Sequence, residues 1–258
     1  MNTAMPLIDA PRSLWSDAGY ALRRNRAAMS AAVLLGLLAL LVVFGPLLSP
    51  YAFDKPDWEH IAMPPTLADG HLFGTDALGR DLLSRTLQGG RMSLLVGLVS
   101  TIVSLVIGIA WGATAGYVGG RTDRIMMRIV DILYALPFMF LVILLMVLFG
   151  RQIVLIFVAI GAINWLDMAR IVRGQTLGLK QREFVEAARV SGVGTARIIL
   201  RHIVPNLLGV VVIYVTLTIP QVILVESFLS FLGLGVQEPM TSWGALVSEG
   251  AQEMENAP

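Results

Sequence analysis

Cysteine is absent from the 258 residues, which excludes disulfides, thiol catalysis and Cys-ligated metals or clusters in one step. Charge is scarce as well. Only 14% of residues are charged, against about 25% in a soluble domain, and a net charge of +1 offers no general basic surface for nucleic acid. Lysine occurs twice, as Lys55 after Asp54 and Lys180 after Leu179, and neither follows a glycine. No G-x-x-x-x-G-K-[ST] phosphate loop can therefore be written, and the chain cannot hydrolyse ATP by that route. Of the three histidines, His60, His71 and His202, none stands in H-E-x-x-H, and no nucleophile with a base partner is visible. This disfavours an intramembrane enzyme and leaves no catalytic residue and no metal ligand to name. Low-complexity tracts and internal repeats are missing too.

What the chain has is long apolar runs. Hydrophobic residues make up 56% of it, and charge-free stretches cover residues 27–53, 92–120, 132–150, 152–166 and 203–225. About 20 apolar residues cross the hydrocarbon core, and the fourth run reaches that length by continuing through Asp167 to Val172. The expectation is an all-α polytopic membrane protein with five spans, since helices satisfy their backbone hydrogen bonds internally. The first run is too long for a signal-peptide core and no small-residue cleavage site follows, so it reads as an uncleaved anchor. Ahead of it, Leu14, Trp15, Ala18 and Leu22 share a helical face beside Arg23, Arg24 and Arg26. The 1–26 segment is then either a short interfacial helix or an unstructured basic flank.

Arg and Lys concentrate in cytoplasmic loops, and placing the N-terminus inside puts fourteen of the nineteen there. The membrane domain of residues 27–258 then has an exterior segment at 49–91 and a cytoplasmic loop at 173–204. Pro50, Pro56, Pro64 and Pro65 punctuate the exterior segment. Beyond them Asp76, Arg80, Asp81 and Arg85 can pair locally, and a short outer helix leading into the second span is expected. A structural elbow is the favoured reading of these four residues; direct substrate contact is the other.

The cytoplasmic loop carries Glu186-Ala187-Ala188 and then Gly192. Residues 170–190 read as helix interrupted at Gly174 and Gly178, with Thr195 as N-cap of a second helix and Pro205 bending or breaking the chain. Two alanines permit close approach of a partner, Glu186 supplies a charge, and Gly192 a sharp turn. On these residues alone, docking and a plain solvated loop stay equally open. Asp167 and Arg170 are spaced for a local ion pair, with a proton relay as the alternative. Pro137 and Pro220 are expected to kink their helices, and Pro46 to end the first.

Glu186-Ala187-Ala188, Gly192 and Pro205 resemble the EAA loop of binding-protein-dependent ABC importer permeases. His202-Ile203-Val204-Pro205-Asn206 is similar to the version in the peptide and nickel branch. Phe73-Gly74-Thr75-Asp76 with Gly79-Arg80-Asp81, and the stretch 226–235, resemble that branch too, and with 165–175 and 242–246 the chain from Arg12 onward is similar to its oligopeptide C-type group. The resemblance implies an ABC importer permease bundle in the bacterial cytoplasmic (inner) membrane, with a sixth helix expected beyond Pro258. It implies four kinds of association: a homologous second permease, two ATPase subunits, an extracytoplasmic peptide-binding protein and the lipid bilayer, with no nucleic acid. No cofactor is expected on this chain, ATP and Mg sitting on the ATPase subunits, which would seat on the Glu186 loop. A peptide path must be wet and weakly selective. Asn164, Tyr214, Thr218, Gln221 and Glu226 are the main candidates to line it, with Ser100, Ser104 and Thr216, and each could instead pack across helices. An ion-driven secondary carrier, coupled through Asp167 and Glu226, is the rival class; it would need no ATPase partner.

Overall fold

The computed structural model describes residues 14–150 and 153–254. It divides at Ser49 into two units. The first holds α1 (Leu14–Arg24) and α2 (Arg26–Leu48). Asn25 separates them, its side chain accepting a hydrogen bond from the Ala28 N–H at 3.1 Å to cap α2. The basic segment before the first run is thus helical from Leu14. Pro46 does not end α2, because a proline so near the C-terminus removes one ladder bond, and the Ser49 N–H still reaches the Gly45 carbonyl at 3.1 Å.

The second unit contains α3 (Leu82–Val118), α4 (Gly120–Tyr134), α5 (Phe138–Phe149), α6 (Ile153–Leu179), α7 (Glu183–Val190), α8 (Thr195–Ile198), α9 (Val204–Phe231) and α10 (Trp243–Glu253). No strand occurs among the described residues. α3 is one helix of 37 residues, about 55 Å long, so no separate outer helix precedes the second span. Asp81 starts it, accepting from the Ser84 N–H at 2.8 Å. The 132–150 run is divided: α4 takes its first residues, Pro137 intervenes, and α5 is only 12 residues long. Conversely, α6 runs unbroken through Gly174 and Gly178 to Leu179. Among the described residues three helical stretches are long and apolar enough to cross a membrane: Arg26–Leu48, Leu82–Val118 and Thr195–Phe231. Their outward rows are apolar; Leu34, Val106, Leu217 and Leu224 are all well exposed, as lipid-facing side chains should be.

Small residues set the packing. Gly108, Gly112 and Gly116 line one face of α3, and α6 lies so close that a Cβ on Gly112 would stand 2.4 Å from the Ala169 carbonyl oxygen. A Cβ on Gly108 would meet Met168 at 2.5 Å, and one on Gly116 the Arg173 carbonyl at 2.9 Å. On its other side α3 approaches α9, where a Cβ on Gly97 would come within 3.2 Å of Ile223.

Pro205 does not break the chain. The five residues Ile199–Ile203 form a π turn, closed by the Val204 N–H on the Ile199 carbonyl, and helix continues to Phe231. The wider turn absorbs a proline that can offer no N–H and would crowd the carbonyl four residues back. The Asn206 side chain completes the adjustment by donating to the His202 carbonyl at 2.7 Å. Pro220 likewise lies within continuous helix.

Candidate functional site

Three groups of sequence-named residues occupy different parts of the second unit. The Glu186 group lies where α3 ends. α7 closes with the Val193 N–H on the Ala188 carbonyl (3.1 Å) and the Gly192 N–H on the Arg189 carbonyl (3.0 Å), Gly192 adopting φ +77°. This is a Schellman closure, which needs glycine for its left-handed backbone. No neighbouring atom would touch a Cβ on Gly192, so conformation alone demands the residue.

The two alanines divide their roles. Ala187 and Glu186 are exposed. Ala188 is buried with Val185 in a core that includes Tyr117, Met168, Val172, Ile198, Ile203 and Leu207. Ala188 therefore seats α7 on its own protein and is not open to a partner, which corrects the expectation that both alanines admit one. Gly194, not Thr195, is the N-cap of α8, and Thr195 is its first residue. Pro205 is exposed just after the π turn.

Two ion pairs tie α4 to α6 near this end. Asp123 accepts from Arg173 Nε at 2.5 Å and Nη2 at 2.7 Å, and Asp131 accepts from Arg170 Nη2 at 2.9 Å. The Arg173 hydrogen bonds, partly opposed by burial, hold the Asp123 carboxyl below the usual aspartate range. Arg170 also lies over the Tyr134 ring at 4.2 Å. It does not pair with Asp167. The local spacing permits that pair, but α4 brings the Asp131 carboxylate to Arg170 from 39 positions away, beyond the reach of any local spacing rule.

The residues expected to line a path do not form one group. Asn164 and Gln221 line a common cavity of about 350 Å³ with Asp167 and Tyr134. Tyr214 donates to the Asn164 backbone carbonyl at 2.7 Å, and Thr218 donates to the Tyr214 carbonyl at 2.8 Å. Glu226 is fully buried and away from that cavity, accepting from Ser230 Oγ at 2.7 Å and, weakly, from Ser93 Oγ at 3.4 Å. Ser93 Oγ also accepts the Trp243 N–H, and Ser242 caps α10, so Glu226 belongs to a hydroxyl cluster that fastens α10 to α3 and α9.

At the Leu82 end of α3, Arg80 and Arg85 are buried and converge on Asp76. Arg80 Nε donates to Asp76 at 2.7 Å and its Nη1 to Glu238 at 2.9 Å, while Arg85 Nη2 reaches Glu249 at 2.9 Å. Asp81 instead pairs with buried His71 at 2.9 Å and caps α3. The pairing thus extends from the 71–85 segment to residues more than 150 positions away. Burial acts to raise the Asp76 carboxyl, but the Arg80 N–H, its guanidinium, the Leu78 N–H and Arg85 outweigh it, and the group lies below its ordinary value of 3.8. A lowered carboxyl contributes stability that is complete above that value and lost as pH falls below it. Arg85→Ala leaves Glu249 unpaired and Asp76 with one guanidinium; a loss of about 3 kcal/mol is expected from breaking a buried pair. Thermal unfolding in detergent measures it, and an unchanged midpoint would refute a stabilising role for these pairs.

Residues 80–254 match the family model described as binding-protein-dependent transport system inner membrane component. Residues 13–65 match the N-terminal transmembrane domain of oligopeptide transport permease C. The chain is 56% identical over 247 residues to the oligopeptide transport system permease protein OppC of Haemophilus influenzae, covering 96% of this chain and 79% of the relative. Against OppC of Escherichia coli K12 the identity is again 56%, over 96% and 82%. The dipeptide transport system permease protein DppC of Bacillus subtilis is 46% identical over 92% of this chain and 74% of its own length.

Proposed function

Because the chain belongs to the family of binding-protein-dependent transport system inner membrane components, we propose that it is the permease subunit of an ATP-driven oligopeptide importer. The observation that carries the substrate class is the 56% identity, over nearly the whole chain, to oligopeptide permeases. In this reading it forms half of the translocation pathway with a homologous second permease, two ATPases and an extracytoplasmic peptide-binding protein completing the complex. ATP and Mg are bound by the ATPases, and this chain contributes no hydrolytic chemistry.

The N-terminus and the Val118 end of α3 face the cytoplasm, where the arginine-rich loops collect, and the 50–81 segment with α10 faces outward. α6, and residues 132–149 running from the end of α4 through Pro137 into α5, supply two further crossings. α7 is the coupling element. Glu186 and Ala187 are exposed on it, while Val185 and Ala188 root it in the core that joins α3, α6 and α9. A push on α7 is therefore delivered to three long helices at once, as a two-state transition between inward-open and outward-open forms requires.

Affinity purification of the tagged full-length chain from its native membrane tests the assignment. Co-purification of a second permease and two ATPases, with ATP hydrolysis stimulated by peptide-loaded binding protein, is the expected result. A stable, transport-competent protein isolated alone would overturn it in favour of a secondary carrier.

A further inference from the structure

Asp167 faces the 350 Å³ cavity that α4, α6 and α9 enclose, alongside Tyr134, Asn164 and Gln221, with Ile163 and Val225 as apolar wall. A carboxylate within a helix bundle is costly unless a cation answers it. The nearest candidate in sequence, Arg170, is committed elsewhere: it donates to Asp131 and lies flat on Tyr134. Among the described residues no Arg, Lys or His side chain forms an ion pair with Asp167. Asn164 gives its amide N–H to the Ile160 carbonyl at 3.2 Å, which leaves its side-chain oxygen as an acceptor. Gln221 lines the same wall, and its side-chain amide carries a second oxygen able to accept. The cavity thus presents a negative charge and two neutral acceptors, with no cation of its own.

We infer that Asp167 is a subsite for the cationic group of a peptide in transit, with the Asn164 and Gln221 amide oxygens taking the remaining N–H donors; this rests on the peptide-import reading. Every peptide with a free N-terminus carries an ammonium, and Lys or Arg side chains carry the same chemistry. The volume lies near the lower end of the range that accepts a small molecule, so it admits a terminus or one long side chain and not a whole oligopeptide. Asp167 is only partly buried, so water reaches its carboxylate. That keeps the attraction weak enough for release, which a conducting path requires as much as entry.

The test uses the complete importer in proteoliposomes, with four peptides of one length that the binding protein is first shown to bind and that are supplied at saturation. Two have neutral side chains and two contain Lys; one of each pair is N-acetylated. Asp167→Asn is expected to slow uptake of the neutral free-amine peptide about ten-fold, the effect of losing one charge-assisted contact, and to leave the acetylated neutral peptide unchanged. Asp167→Glu restores the rate. Slowing of the acetylated Lys peptide assigns side-chain cations to the subsite as well, and its sparing assigns the α-ammonium alone. Equal rates for variant and wild type on all four overturn the subsite. So does equal slowing of all four, which would make Asp167 a structural residue or a contact to the second permease. Wild-type uptake of none of the four overturns the import reading and the subsite together.

Discussion

Glu186→Lys is expected to reduce peptide-stimulated ATP hydrolysis of the reconstituted complex to its unstimulated level while leaving membrane insertion intact. Glu186 is exposed, forms no ion pair among the described residues, and lies in the first turn of α7. A carboxylate there complements the positive end of the helix, and a lysine opposes it. The reversal therefore changes what α7 offers an ATPase without touching Val185 or Ala188 beneath it. Gly192→Pro is expected to have the same outcome by another route. Proline cannot adopt φ +77°, and it removes the N–H that closes α7 on Arg189. Gly192→Asn supplies the control. Asparagine tolerates the left-handed region and no atom obstructs its side chain at the Cβ, so much of the coupling should return. Full peptide-stimulated hydrolysis in Glu186→Lys would remove the docking role.

Gly112→Ala is expected to destabilise the bundle by about 2 kcal/mol or more, at the upper end of what overpacking costs. The added methyl would stand 2.4 Å from the Ala169 carbonyl oxygen and 3.0 Å from the Arg173 nitrogen. Both are backbone atoms, so no rotamer change relieves the contact and α6 must move away from α3. Displacement of α6 also disturbs the Arg173 to Asp123 and Arg170 to Asp131 pairs that hold α4. Gly174→Ala on α6 makes the opposite prediction. Nothing lies within 4 Å of its Cβ position, so helix propensity alone acts and a gain of about 0.5–1 kcal/mol is expected. Thermal midpoints of the two variants in one detergent decide the matter; equal shifts would mean that α3 and α6 are not in close contact.

Much of the architecture was legible from hydropathy, because a bilayer selects element type and length so strongly. The apolar runs located the helices, and Gly192 and the Glu186 triplet located a turn and a loop helix, whereas the capping role of Asp81 emerged only from the structure. The boundaries were less legible. Expecting a break at Pro205 assumed that helix geometry is fixed, whereas one π turn and the Asn206 side chain accommodate the ring. Gly174 and Gly178 looked like weak points, yet packing of α6 along α3 carries the helix through both.

By itself, then, the sequence determined that the chain is helical and membrane-embedded and that it lacks a phosphate loop or thiol chemistry, since these follow from residue types and short spacings. Only the tertiary structure decided partnerships between distant residues. It gave Arg170 to Asp131 instead of Asp167, turned Ala188 inward while leaving Ala187 outside, and removed Glu226 from the cavity that Asn164 and Gln221 share. It also spread the Asp76 cluster to Glu238 and Glu249. Local spacing states which pairs are possible; which pair forms depends on the competing group that another helix brings within hydrogen-bond reach.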